Sequence, residues 1–419
     1  MNMVAKTKSR NGLITAIDLG TSKVACFIAR AGDDGRAEVV GIAHQLSRGL
    51  RNGNIVDMEA AELSIRSAVE AAEQMAGENV RDAVISISNG SPQSKLVTFE
   101  VEIAGHEIGD GDLRRALDPA WLHAQQSDDR RTIHTIPVVY SIDGNRGVRD
   151  PRGMFGEKLG VNMHLVSVAA GAVRNLTSCV SRCHLEIEQI VSAPLASGLA
   201  CLVEDEMSLG AVCIDMGGGT TTISVFFDGE VVFVDAIPIG GKHVTNDIAR
   251  GLSCSVANAE RIKTLYGSAL PSPSDDNELL KVPLVGEEES EVAQIPRSML
   301  VGIIRPRLDE IFEMARASLE HAGFDKVAGR RVVLTGGACQ LTGARELAAR
   351  MLDKQVRIGR PGRLNGLAEA TTGPAFSTCA GLVQFAINRR TETENHVFRA
   401  IQEPSSRFGR LGNWIRENL

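Results

Sequence analysis

IDLGTSK at residues 17–23 and IDMGGGTTT at residues 214–222 decide the fold. Each grows out of an apolar run that reads as a strand, LITAIDL (13–19) and AVCIDM (211–216), and each breaks at an aspartate followed by glycine and hydroxyl residues. A single aspartate and glycine at a strand end make an ordinary hairpin turn in many β-proteins. Two copies in equivalent settings are a different observation. After each copy come a second strand, KVACFIAR (23–30) or TTTISVFF (220–227), and a third, residues 37–45 or EVVFVDAIPI (230–239), before helical periodicity sets in. The chain is two similar α/β halves in series.

The paired loops carry a definite chemistry. A nucleoside triphosphate is a polyanion, so a protein that grips it presents backbone N–H groups unobstructed by side chains and supplies carboxylates for hydrated magnesium. Gly20, Thr21, Ser22 and Lys23 on one side, and Gly217, Gly218, Gly219 and Thr220 on the other, have the composition of two phosphate loops. Asp18 and Asp215, at the ends of their strands, are placed to face Mg2+ through water. A third stretch, LTGGACQ (334–340), sets Gly336 and Gly337 where backbone can approach a flat adenine or ribose.

Between these motifs the chain divides readily. A helix is expected from Asp57 to about Met75, with Asp57 as N-cap and Gly77 past its end. Residues 89–166 read as an inserted α+β module: a strand LVTFEVEI (96–103), a helix from Asp110 to about Gln126, and a strand TIHTIPVVYSI (132–142). The expected organisation is an N-terminal tail (1–12), a first core (13–88 and 167–205) around that insertion, a second core (206–244 and 325–388) around an insertion at 245–324, a linker (389–404) and a terminal helix (405–419). Residues 271–296, rich in acidic and polar side chains, read as a solvated loop or hairpin.

Composition excludes several classes. With 43% hydrophobic and 23% charged residues in 419, the chain is ordinary globular protein. Its net charge of -7 argues against a broad nucleic-acid surface, and no run of 18 apolar residues is present to span a bilayer. Eight cysteines, mostly in apolar segments, fit a reducing compartment. Cys179, Cys183 and His184 are close in sequence, but no second ligand cluster completes a tetrahedral metal set.

In order and spacing, these segments resemble the nucleotide-binding stretches of the actin, sugar kinase and heat-shock chaperone superfamily. IDLGTSK and IDMGGGTTT match its phosphate motifs, LTGGACQ its adenosine motif, and SAPLASGLA (192–200) and GPAFSTCAGL (373–382) its connecting helices. In ANAERIKTLYG (257–267), Glu260 and Lys263 match the pair that grips the nucleoside in the chaperone branch. Within the superfamily the chain is most similar to the FtsA family of bacterial actin-like cell-division proteins. Only about a dozen residues separate the third strand from the first helix, where conventional actins carry a subdomain; the insertion follows the strand AVISIS (83–88) instead. AGAVRNLTSCV, EDEMSLG, IPIGGKHVTNDIA and VRIGRPGRLNGL also look like that family.

The resemblance implies an actin-like α/β fold, two ribonuclease H-like domains flanking a nucleotide cleft, with an FtsA-type inserted subdomain in the first half. It implies ATP and Mg2+ as ligands, self-assembly into filaments, and work on the cytoplasmic face of the bacterial membrane at the division septum. As partners it implies the C-terminal tail of the tubulin-like division protein FtsZ and later division proteins, with Arg297, Arg307 and Glu310 as candidates for the tail-binding surface.

The terminal segment SRFGRLGNWIRENL supports the membrane expectation on its own. On a helical wheel Phe408, Leu411, Trp414, Ile415 and Leu419 fall within about 140°, while Arg410 and Arg416 lie outside that arc and suit anionic lipid. Gly409 and Gly412 each weaken an isolated helix by about 1 kcal/mol, so ordering is expected on the lipid surface. Hydrolysis is expected to be slow or absent: where the heat-shock branch opens its first connecting helix with a glutamate before proline, this chain has Ala193 before Pro194.

Overall fold

The computed structural model describes residues 12–32, 37–117, 128–286, 292–327, 329–362 and 364–402, with side chains described to 389. In the first half, β1 (Leu13–Leu19), β2 (Lys23–Ala31) and β3 (Ala37–Leu46) form an antiparallel meander. A short hairpin of β4 (Leu50–Arg51) and β5 (Asn54–Ile55) leads to the helix Met58–Ala76, and β6 (Asp82–Ile87) then returns parallel to β1. The inserted module pairs β7 (Gln93–Glu102), β8 (Arg130–Ile142), β9 (Asn145–Val148) and β10 (Lys158–Ala169) in the order β7-β10-β8-β9. After the helix Ala170–Arg182, β11 (Glu186–Ser192) completes a sheet ordered β11-β6-β1-β2-β3.

The second half repeats this plan. β12 (Ala211–Met216), β13 (Thr221–Phe227) and β14 (Glu230–Ile237) form the second meander, and β17 (Arg331–Thr335) and β18 (Gln355–Ile358) add in parallel, giving β14-β13-β12-β17-β18. Between β14 and β17 lie the helices Gly241–Gly251 and Val256–Tyr266, a hairpin of β15 (Leu279–Pro283) and β16 (Val292–Pro296), and the long helix Arg297–His321. Every residue of β1 and β12 is buried, which explains their unbroken apolar reading.

Two crossing helices join the halves. Ala193–Cys201 follows the first sheet but packs on β12 and β13 of the second, while Ser377–Gln402 packs back on β1, β2 and β6. One apolar core therefore spans both halves, including Phe27, Leu195, Ala196, Phe226, Cys379 and Leu382. The closest approach is at Gly381, where a side chain would overlap the backbone carbonyl of Ala196.

Local signals hold where they rest on capping chemistry. Asp57 Oδ1 accepts the Ala60 amide at 3.1 Å, and Gly77 closes that helix with φ 71°. Asp57→Ala is expected to lower the stability of the fold by about 1 kcal/mol in urea titrations, whereas Asp57→Ser should recover most of it.

Two expectations need correction. The second connecting helix runs on to Gln402, so the polar stretch from 389 is helical rather than a linker over most of its length. Nothing between Gly381 and Pro404 breaks a helix, and RRTETE is rich in helix formers. The helix begun at Asp110 ends at Ala116 within the described residues; 118–127 lie outside them. β10 also went unread, although Leu159, Val161, Met163 and Leu165 alternate with Gly160, Asn162 and His164; it lies between β7 and β8 in its sheet. The membrane residues Phe408, Arg410, Leu411, Trp414, Ile415 and Arg416 fall outside the described residues.

Candidate functional site

The ends of β1 and β12 open into a cleft of about 900 Å³ between the halves. Asp18, Gly20, Thr21, Ser22, Lys23, Asp215, Gly217, Gly218, Thr220, Glu260, Lys263, Gly336 and Gly337 all line it. Gly219 does not; it lies against Thr21, and Gly218 lies against Ser22, each too close for a side chain. The two phosphate-type loops thus touch one another, and glycine is required for that contact rather than only for a turn.

Each aspartate is held by hydroxyls. Ser86 Oγ donates to Asp18 Oδ1 at 2.8 Å and accepts the Leu19 amide at 2.9 Å. Asp215 Oδ2 accepts from Ser197 Oγ on the first connecting helix and from Thr378 Oγ1, at 2.9 Å, on the second. Those two hydroxyls also meet at 2.9 Å. Asp215 therefore ties the second loop to both helices that join the halves. Gly336, with φ 85°, passes so close to Asp215 and the Met216 carbonyl that only glycine fits.

The electrostatics favour a cation. Burial pushes the Asp18 carboxyl up to about 6; the Ser86 hydrogen bond opposes this, the Asp215 charge adds to it and Lys23 opposes it. Burial raises Asp215 too, against Ser197, Thr378 and Lys23. Two desolvated carboxylates that repel each other beside glycine loops could hold a hydrated divalent ion, which would offset their charge. Lys23 is depressed by burial, and its ammonium sits 3.4 Å from the centre of the Phe376 ring.

The sign of the Asp18 shift gives a test. A folded-state pKa above the unfolded one means that the ionised carboxylate opposes folding above pH 6, and the penalty fades as pH falls from about 6 towards 3.8. Without nucleotide or metal, Asp18→Asn is expected to be more stable than the parent at pH 7.5 by roughly 1–3 kcal/mol. The gap should narrow as pH falls below about 6. Calorimetric melts across that range check it, and a gap independent of pH would contradict it.

On the far wall, Glu260 Oε2 accepts from Lys263 Nζ at 2.8 Å and from Thr245 Oγ1 at 2.5 Å, while Lys263 Nζ also reaches the Gly241 carbonyl at 3.2 Å. The pair is thereby fixed on the helix Gly241–Gly251, whose start folds over the second loop: the Gly241 and Lys242 amides donate to the carbonyls of Gly217 and Gly218. Lys242 Nζ crosses to the first half and donates to the Thr21 carbonyl at 2.6 Å. Reading motifs alone passes over Ser86, Ser197, Lys242, Thr245 and Thr378. IPIGGKHVTNDIA held the signal for two of them, a glycine pair opening a helix.

The candidate tail surface is partly committed elsewhere. Arg297 donates to the buried Asp275 at 2.9 Å and to the Tyr266 carbonyl, tying the start of the long helix to the turn before β15 and to the end of the helix Val256–Tyr266. Arg307 binds Asp247 through two nitrogens, at 2.6 and 3.1 Å, and also pairs with Glu310. Burial lifts the Cys179 thiol to about 11 and the Cys183 thiol to about 12, the opposite of what a thiolate metal ligand needs.

A family model described as Cell division protein FtsA matches residues 212–381, and one described as the SHS2 domain inserted in FTSA matches 89–167. The cell division protein FtsA of Rhizobium meliloti is 43% identical over 424 residues, covering 98% of this chain and 96% of its own length. That of Escherichia coli is 30% identical over 418 residues, covering 97% of this chain and 98% of its own. Among solved structures, the PilM-PilN type IV pilus biogenesis complex aligns with TM-score 0.62 at 17% identity, covering 89% of this chain and 98% of that one. MreB 5 of Spiroplasma citri bound to AMPPNP aligns with TM-score 0.56 at 14% identity, covering 93% and 100%. The structural likenesses bear on the fold alone, which is actin-like α/β. Near-complete coverage by relatives at 30–43% identity and the two family models agree: the chain belongs to the FtsA family of cell division proteins.

Proposed function

We propose that this cell-division protein binds ATP with Mg2+ in the cleft and assembles into filaments on the cytoplasmic face of the bacterial membrane at the septum. There it tethers FtsZ filaments and helps to recruit later division proteins. The observation that carries the nucleotide reading is the convergence of Asp18 and Asp215, both buried, on one cavity lined by glycine loops from each half. That a structural neighbour, MreB 5, is bound to AMPPNP supports the same reading.

When bound, Mg2+ neutralises the triphosphate and screens the two carboxylates from each other. Ser86 holds Asp18, Ser197 and Thr378 hold Asp215, and the Glu260–Lys263 pair offers its polar edge to the nucleoside. Ala193 lines the cleft where the heat-shock branch has its glutamate, so no carboxylate stands there to orient a water. ATP then acts mainly as a ligand that closes the cleft. Turnover is expected below about 1 per second.

Attachment to lipid falls to the terminal segment SRFGRLGNWIRENL, whose few apolar residues give marginal binding singly and strong binding when many copies share one filament. The tail of FtsZ is assigned to the face around Arg307 and Glu310, with Arg297 as its brace. The test is pelleting with vesicles containing anionic lipid. Mg-ATP is expected to increase the bound fraction, and Trp414→Glu to abolish binding. Equal pelleting with and without Trp414 would overturn the tether.

A further inference from the structure

A second, smaller chamber of about 330 Å³ adjoins the cleft. Thr21, Lys242 and Asn246 line both cavities, so the two share a wall, and the hydrogen bond from Lys242 Nζ to the Thr21 carbonyl belongs to it. The chamber is strongly basic. Arg51 enters from the β4–β5 hairpin, Lys242 and Arg250 from the helix Gly241–Gly251, and Arg307 from the long helix. Lys242, Asn246 and Arg250 recur at four-residue spacing and so share one helix face.

Among the described residues, Asp247 is the one carboxylate that lines the chamber, and it is already paired with two nitrogens of Arg307. Arg51 and Arg250 form no salt bridge with any described residue. His243 Nδ1 accepts the Gly240 amide at 3.1 Å, and burial depresses its pKa; the neutral ring then carries its proton on Nε2. Two arginines without carboxylate partners among the described residues, a lysine whose ammonium donates to the Thr21 carbonyl and feels the Glu260 charge, and a ring N–H surround one concavity. Cationic forks and donors around a pocket are what recognise a tetrahedral oxyanion.

We propose that this chamber is a second anion site, which takes a phosphate group, as free inorganic phosphate or as a phosphomonoester, separately from the loops of the cleft. An anion seated there attracts the Lys242 ammonium away from the Thr21 carbonyl. Because that bond links the two halves, occupancy of the chamber loosens the cleft at its phosphate end. The inference does not depend on what the cleft holds.

The experiment is calorimetric titration of the full chain with inorganic phosphate, and separately with glycerol 3-phosphate, in buffer free of other oxyanions. Each is run with and without saturating Mg-AMPPNP. The variants are Arg51→Ser and Arg250→Ser, both on exposed side chains outside the cleft lining. With AMPPNP present, one phosphate per chain is expected to bind. Each single variant should weaken it about tenfold and the double variant remove it, the loss expected for charge-assisted hydrogen bonds. In the absence of phosphate, AMPPNP affinity should stay within about threefold across the variants, because Arg51 and Arg250 lie outside the cleft lining, whereas in the parent saturating phosphate should weaken it.

Binding of inorganic phosphate assigns the site to the free ion; binding of glycerol 3-phosphate alone assigns it to a phosphate carried on an alcohol, such as a lipid headgroup. No binding of either, or binding unchanged in the double variant, overturns the proposal. Failure of AMPPNP to bind would be seen in its own titration and would count against the cleft reading. Loss of phosphate binding to the nucleotide-free protein in the double variant would still decide the chamber.

Discussion

Gly381→Val is expected to destabilise the protein by at least about 3 kcal/mol, the upper range for overpacking, and to weaken nucleotide binding with it. The new side chain would meet the backbone of Ala196 rather than a flexible side chain, so neither connecting helix can yield without moving. These helices carry the core shared by both halves, and each bears one of the hydroxyls that hold Asp215. A shift that parts them parts Ser197 from Thr378. Urea unfolding with and without Mg-ATP separates the two effects. Gly302→Ala is the matched control: that glycine is exposed on the long helix with open space around it, and alanine should stabilise by about 1 kcal/mol. Similar midpoints for Gly381→Val and the parent would mean that the crossing is loose and does not fix the cleft.

Asp215→Ala is expected to weaken Mg-ATP by about 2–5 kcal/mol, roughly 30-fold to several thousandfold in affinity, while leaving the ligand-free fold intact. The carboxylate is buried and its ionised form is disfavoured there, so its removal relieves a desolvation penalty. Ser197 and Thr378 keep each other as hydrogen-bond partners. Stability and binding should therefore move apart, as they do where a strained site serves a ligand. A variant that unfolds instead would show that the hydroxyl triad is chiefly a structural tie.

The two loops were legible because one short motif occurs twice, each time at the end of a fully buried strand, and the strand orders β11-β6-β1-β2-β3 and β14-β13-β12-β17-β18 show why: both halves are the same sheet plan. Caps such as Asp57 and Gly77 were legible because their chemistry is local. Ser86, Ser197 and Thr378 were not, since lone hydroxyl residues in apolar segments carry no periodic or motif signal. Only the crossing of two helices far apart in sequence brings Ser197 and Thr378 to one carboxylate. Lys242 escaped for a similar reason, because its partner is a backbone carbonyl in the other half. The extension of the last helix to Gln402 shows the limit of pattern reading, since polarity alone does not end a helix, and β10 was missed despite an alternating run from Leu159 to Leu165.

The most direct test of the account is the dissociation constant of ATP measured with Mg2+ and with chelator, for the parent and for the Asp18→Asn, Asp215→Asn double variant. If the paired carboxylates hold a hydrated magnesium against phosphate in this cleft, Mg2+ tightens ATP by more than about tenfold in the parent and by less than about twofold in the double variant. Equal ATP affinity with and without Mg2+ in the parent, or a double variant that binds Mg-ATP as tightly as the parent, would contradict it.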